Sequence, residues 1–442
     1  MKKTFVAMVL LIAFGVAIVA CGGKKSSNTK HQVSGLKFRA FVSNSLFPSG
    51  LTNGPVLNIV DATQNIVSLS NISLLGSVTQ AGLMAVSPDL AVTLVFSPVG
   101  NTIAVIDNAA ESVGASIQGG GGASTLMLPG LTESMFVAKD NVTVYAAVPT
   151  APIVGQAPGA VLVMSLQTGA IAATIPVPAA HFIVPSPDGN SVLVFSDNSD
   201  AITVISTVLI GTSQDPRTVV AGTPQNHFDR PVWAIFNGNT SAYIFNCGPQ
   251  CGGTAAGIST FTVGDSAPGS TTPVSAATYG LLNGTTLYVA GTPPHMACGS
   301  GTAAPTCGTL NILNTGSMEV TNPKPIVITD GYHDRMEMGL YGQLFIGSHS
   351  CSNVNISGGE VRGCLSIFNT TNAKVVIPPQ IGDTTGIQAI PGHNIVYVCE
   401  GGVFQIYDTT TDKLLVQTLP VGVTNVIVGL STDVKLVDPP PD

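Results

Sequence analysis

Three short clusters carry an imidazole, and two of them set it beside a carboxylate and a guanidinium. They are His181-Phe182, His227-Phe228-Asp229-Arg230 and Tyr332-His333-Asp334-Arg335, with Glu337 two residues beyond the last. Converging His, Asp and Arg side chains can bind an anionic or hydroxylated ligand, since Arg offers paired donors to an oxyanion. The candidate ligand-binding residues are therefore His181, His227, Asp229, Arg230, His333, Asp334 and Arg335. Against this stands a plainer reading, in which each Asp pairs with its Arg neighbours or caps loop amides and merely stiffens its loop. Glu337 could serve as a general base, but one carboxylate does not make a catalytic set. No G-x-S-x-G occurs and no Ser/His/Asp set stands out, so no catalytic residue is assigned.

The cysteines form a second group. Cys247 and Cys251 flank Gly-Pro-Gln, Cys298 and Cys307 close a Gly/Ala/Thr-rich loop, and Cys351 and Cys364 close a Ser/Asn/Gly-rich loop. Local pairing predicts three disulfides, each removing freedom from a loop too polar to pack itself. Cys399 lies inside an apolar run and reads as a buried thiol. The rival reading is metal binding, because His295 precedes Cys298 and His349 precedes Cys351. Those spacings match no zinc pattern and there is no C-x-x-C-H, so neither metal nor cofactor is assigned.

The elements that must position these groups are strands. From His181 to Ile210 three apolar runs alternate with turns at Pro187-Asp188-Gly189 and Asp197-Asn198-Ser199-Asp200, the pattern of short antiparallel strands. One apolar strand ending in Asp, Asn or a substitute recurs eight times between Asp61 and Asp408, about 50 residues apart, which is the period of propeller blades. A second strand precedes each copy. A more buried strand comes earlier still in most units, including Pro231 to Gly238 and, more weakly, Ala277 to Gly284, Arg335 to Leu340 and Gly386 to Gly392. The first unit lacks this inner strand and the last has a spare one, Val423 to Leu430, so the C-terminus is expected to complete the first blade and remove its open edge. The fold class is all-β: a β-propeller of eight four-stranded blades, with seven as the alternative. The three cysteine pairs then fall between second and third strands, on the face that also carries the segments entering the inner strands. Asp229-Arg230 and Asp334-Arg335 take the same place two blades apart, and Trp233 reads as core rather than as a stacking platform.

Ala85-Val86-Ser87-Pro88-Asp89 and Val184-Pro185-Ser186-Pro187-Asp188-Gly189, each followed by an apolar strand, resemble the repeats of YVTN-type, lactonase-like β-propellers. Phe41-Val42-Ser43-Asn44 and Tyr288-Val289-Ala290-Gly291 stand where that family's Tyr-Val-Thr-Asn would be. The resemblance runs over residues 36–430 and implies a fold rather than an activity, because propellers host enzymes, receptors and scaffolds alike.

Composition and the N-terminus set the compartment. Charged residues make up 9% of the 442 residues, against about 25% in ordinary soluble proteins, and the surface must be built from Ser, Thr, Asn and Gly. Net charge is −8 with no basic block beyond the start, which argues against a nucleic-acid partner. Met1-Lys2-Lys3, the apolar run Phe5 to Ala20 and then Cys21-Gly22-Gly23 resemble a bacterial lipoprotein signal. That resemblance implies cleavage before Cys21, acylation of Cys21 and a membrane anchor. Gly22 after the cysteine points to the outer membrane. The expected organisation is a signal peptide at 1–20, a flexible tether at 21–35, a propeller at 36–438 and a tail at 439–442.

The leading functional expectation is an extracytoplasmic binding or scaffold module presenting its stapled face to a protein or glycan of the envelope. The alternatives are a lactonase-like hydrolase at the channel mouth, using His333, Asp334, Arg335 and Glu337, and an accessory subunit of a membrane redox or transport complex.

Overall fold

The computed structural model describes residues 33–441 apart from 46–53, 75, 115, 118–119, 297–305, 353–354, 357–359, 362 and 428. Cys21 and Cys298 lie outside the described residues. Contacts separate Met1–Ser34 from a second unit, Gly35–Asp442, and only that second unit is described below.

Runs such as VTLVFS at Val92–Ser97 and IVYVCE at Ile395–Glu400 are rich in β-branched and aromatic residues and are buried on both faces. A strand buried on both faces needs a neighbouring sheet on each side. Among the described residues eight antiparallel sheets of four main strands supply those neighbours, seven with their strands in sequence order and one that takes its inner strand from the C-terminus, with small extra pairings in two of them. The apolar side chains gather into eight clusters, and each cluster joins two successive sheets. Leu94 and Val105 pack with Val144 and Leu162 between blades two and three. Tyr397 and Phe404 of blade eight pack with Ala40, Val42 and Val434 of blade one. The last cluster closes the circle, and the molecule is an eight-bladed β-propeller. Fourth strands such as Ile171–Pro176 form the exposed rim.

The turns between first and second strands lie on the face away from the stapled loops. The two Ser-Pro-Asp turns are built alike: Ser87 Oγ donates to Asp89 at 2.6 Å and accepts from the Val92 amide at 2.9 Å. Ser186 does the same with Asp188 at 2.6 Å and the Ser191 amide at 3.0 Å. A short side-chain bridge of this kind fixes the turn before the second strand begins.

Closure is achieved by the C-terminus, but by a different segment from the expected one. The strand that completes blade one is Ser431–Leu436, antiparallel to Arg39–Asn44 with Val434 opposite Val42. The described residues of Val423 to Leu430 form no strand, with one isolated bridge from Ile427 to Phe404. The reason is alternation: in STDVKL, Val434 is fully buried while Lys435 faces the central channel. An inner strand therefore looks more polar than the apolar run before it. Arg39 latches the closure. Its Nε and Nη2 donate to Asp438 at 2.7 and 2.8 Å, and its Nη1 donates to Glu111 of blade two at 2.7 Å.

Candidate functional site

The inner strands line the central channel, and five of them share one irregularity. A register shift leaves one residue unpaired near the end that faces the stapled loops: His181, Val232, Asp334, Thr385 and Thr432 in blades four, five, seven, eight and one. A one-residue bulge breaks strict alternation and re-aims the side chains around it. His181 and Phe182 therefore both line the cavities of the channel, as do Val232 with Trp233 and Asp334 with Arg335.

Two cavities follow one another along the axis. The outer one has a volume of 320 Å³ and is walled by Glu133, His181, Asp197, Arg230, Tyr332 and His349 among others, with Cys251 at its rim. The inner one has a volume of 290 Å³ and reaches Trp233, Tyr279, Arg335, Glu337 and Lys435. They share Glu133, Phe182, Val232 and Tyr332 as wall residues. Both volumes lie near the lower end of the range of roughly 300–1,000 Å³ found for small-molecule sites.

The rim is rigid. Cys247–Cys251 and Cys351–Cys364 are disulfides, and Cys307 is also disulfide-bonded, its expected partner Cys298 lying outside the described residues. Cys399 is a free, buried thiol. The stapled loops are tied to their neighbours. Gln250 donates to the Gly331 carbonyl at 3.1 Å and accepts from the Thr292 amide at 2.7 Å. The buried Asp330 accepts from Thr306 at 2.9 Å, from the Ser352 amide at 2.8 Å and from the Ser352 hydroxyl. One carboxylate thus fastens the loops of blades six and seven together.

The mouth holds two ionic groups. His181 Nδ1 lies 2.6 Å from Asp197 and its Nε2 lies 3.0 Å from Glu133. Burial depresses the imidazole, but the two carboxylates more than reverse this and leave its pKa above the ordinary value. On the other side, Arg335 Nη1 donates to Asp334 at 3.1 Å, and His349 Nδ1 lies 3.6 Å from the same oxygen. Burial would raise the Asp334 carboxyl, yet Arg335 and His349 together hold it below its usual range. Asp334 Oδ1 is buried with no hydrogen-bond partner among the described residues. Deeper in, burial pushes the Glu337 carboxyl up to about 7, tempered by Lys435.

Among the seven candidate residues the structure brings together His181, Arg230, Asp334 and Arg335. It places the other three elsewhere. His333 is fully buried between blades six and seven, where its Nε2 donates to the Thr329 carbonyl at 3.1 Å, and burial lowers its pKa to about 4. The bulge at Asp334 is the cause, because it turns the preceding residue away from the channel. Asp229 caps the stapled loop of blade five, accepting from the amides of Thr254 and Ala255 at 3.0 and 2.8 Å. His227 is exposed in a separate recess beside it. The two acidic-basic pairs are not equivalent either. Arg335 and Trp233 each follow the bulge of their strand, so Trp233 holds the place of Arg335, while Asp229-Arg230 precede their strand. Trp233 lines the channel while packing on two interblade cores.

Sequence reasoning missed Glu133, Asp197, Tyr279, Tyr332 and Lys435 as channel residues. The signal available for the last three was a polar or aromatic residue alternating with apolar ones within an inner strand.

The fold and its axial site define the chain as an eight-bladed β-propeller protein. No protein-family model matches it, and no curated protein matches it. Among solved structures, dihydro-heme d1 dehydrogenase NirN, in complex with DHE, is similar with a TM-score of 0.61 at 11% identity, over 92% of this chain and 76% of that one. Kuenenia stuttgartiensis hydrazine synthase gives 0.50 at 13% identity, over 77% and 96%. A putative 6-phosphogluconolactonase from Bacteroides fragilis gives 0.49 at 13%, over 92% and 99%. At such identities the likeness to the first two concerns the fold alone and assigns no activity.

Proposed function

We propose that this chain is a binding module whose ligand, a protein segment or glycan of the cell envelope, seats in the channel mouth on the stapled face. The observation that carries this reading is the convergence of bulged inner strands and tied loops around one two-tiered cavity. A rim held by disulfides and cross-loop hydrogen bonds loses little freedom on binding, which favours recognition. A lipid on Cys21 would hold the module at the outer membrane. Mass spectrometry of the mature N-terminal peptide tests the anchor: an acylated Cys21 supports it, and retention of residues 1–20 overturns it.

The binding reading is tested in cells with the full-length chain carrying a photo-crosslinking amino acid at Asn198, on the cavity wall, or at Asp188, on the opposite face. Capture of an envelope component at Asn198 and not at Asp188 is expected. Capture at Asp188 alone, or at neither position, overturns it.

A second reading, a lactonase-like hydrolase, is favoured by Glu337, because a buried carboxyl titrating near neutrality can take and return a proton. With His333 turned into the core, that reading rests on Glu337, Asp334 and Arg335. Turnover of a sugar lactone that disappears in Glu337→Gln would place it first.

A further inference from the structure

The wall of the inner cavity is uneven around its circumference. The residue after the bulge is Phe182 in blade four and Trp233 in blade five, and blade six, whose inner strand pairs in unbroken register, places Tyr279 beside them. Phe182 and Trp233 meet edge to face at 6.2 Å, and Trp233 and Tyr279 lie 4.9 Å apart with a 34° tilt. The three rings form a continuous aromatic arc across three blades. Beyond Tyr279 the corresponding residue in blade seven is Arg335. In blade eight it is Gly386, where a Cβ would come within 2.9 Å of the Asp433 backbone. In blade one it is Asp433, with Lys435 two residues on and 3.3 Å from it. The glycine lets the closing strand pack directly against blade eight, which brings Lys435 to the cavity wall beside Ile387.

The polar groups lining the inner cavity are of both kinds. Arg335 spends its Nε on the Thr385 carbonyl and its Nη1 on Asp334, and its Nη2 has no protein acceptor among the described residues. Asp334 Oδ1 is a buried acceptor with no donor. Glu337 makes no hydrogen bond among the described residues. An anionic ligand would meet Glu133, Asp334 and Glu337, and a cationic one would meet Arg335 and Lys435. A hydroxyl both gives and accepts a hydrogen bond and carries no charge, so a polyol satisfies both kinds of group without opposing either. Aromatic faces supply apolar area for the C–H face of such a ring.

We infer that the inner cavity is a subsite for the end of an uncharged carbohydrate, one sugar ring lying against the Phe182–Trp233–Tyr279 arc with its hydroxyls shared among Asp334, Arg335 and Glu337. This rests on the binding reading above and specifies its ligand class. The shared walls of the two cavities let the rest of the glycan leave through the mouth past Tyr332.

Trp233 is the sole tryptophan of the chain, so tryptophan emission excited outside the tyrosine band reports on this one residue and the cavity that it lines. The full-length protein is screened against a glycan array with neutral hexose, N-acetylhexosamine, uronate and amino-sugar termini, and each hit is titrated by Trp233 emission. Neutral termini are expected to bind with a saturable emission change, and their uronate and amino-sugar counterparts about ten-fold more weakly. Tyr279→Ala should weaken binding about ten-fold. Tyr279→Phe keeps the ring and should bind nearly as wild type, as should Arg217→Ala on the outer rim. Absence of any neutral hit, equal binding of charged termini, or loss in Tyr279→Phe equal to that in Tyr279→Ala overturns the inference. Capture of a protein at Asn198 without glycan binding sinks this inference and leaves the binding module standing.

Discussion

His181 can donate from both ring nitrogens only as an imidazolium, and both nitrogens have a carboxylate within hydrogen-bond reach. Its folded pKa is therefore raised, and the same contact holds the Glu133 carboxyl low. A raised value means that the stabilisation is fully present below the unfolded pKa of roughly 6.5 and is lost as pH rises through the folded value. His181→Gln should thus lower stability at pH 5.5 by about 1 kcal/mol, the scale of partly exposed ion pairs, and by progressively less on the alkaline side. Urea midpoints across pH measure this, and a loss independent of pH would contradict it. Asp229 belongs to another category of residue. It accepts from two amides and a hydroxyl of one loop, so Asp229→Ala should leave those donors to water and cost roughly 1–3 kcal/mol. A neutral result in the same denaturation assay would show that the loop holds its form without the cap.

Among the elements, the stapled loops and the inner strands carry the site. The Cys351–Cys364 disulfide spans a sequence separation of 13 and Cys247–Cys251 one of 4. Because the restraint on the unfolded chain grows with loop length, replacing both Cys351 and Cys364 by Ser should cost about 3 kcal/mol. The matching change at Cys247 and Cys251 should cost less. Calorimetry of the two variants measures the order, and a reversed order would show that strain rather than loop entropy decides. The second and third strands were legible in the sequence, because burial on both faces makes them apolar throughout and sets their spacing. The inner strands were half legible. One of their faces meets the central channel, where Lys435 sits, and the buried Asp433 serves blade two, so two charged residues interrupt the closing strand and hid it behind the apolar Val423 to Leu430. The bulges were not legible at all, since no residue type marks them. A shift of one residue exchanges the two faces of a strand. That is why His333 was expected in the channel and lies in the core, while Trp233, expected in the core, packs on two interblade cores and also lines the channel.

For the molecule as a whole, the ring and the site depend on one another. Eight interblade cores form a circle only when Ser431–Leu436 joins Arg39–Asn44, and that strand brings Lys435 to the channel. Asp433, fully buried, accepts from the Met84 amide of blade two at 2.8 Å, and Arg39 bridges Asp438 to Glu111. The tail therefore closes blade one, grips blade two and finishes the channel wall in a single step. An open ring would expose a hydrogen-bonding sheet edge and leave the cavity incomplete. Amide hydrogen exchange of the intact protein tests this most directly. The account predicts that Arg39–Asn44 and Ser431–Leu436 exchange slowly and together, at rates matching other paired inner strands such as Ala180–Pro185. Rapid exchange across Ser431–Leu436, with Arg39–Asn44 remaining slow, would mean that the tail does not close the ring, and the axial site would lose its basis.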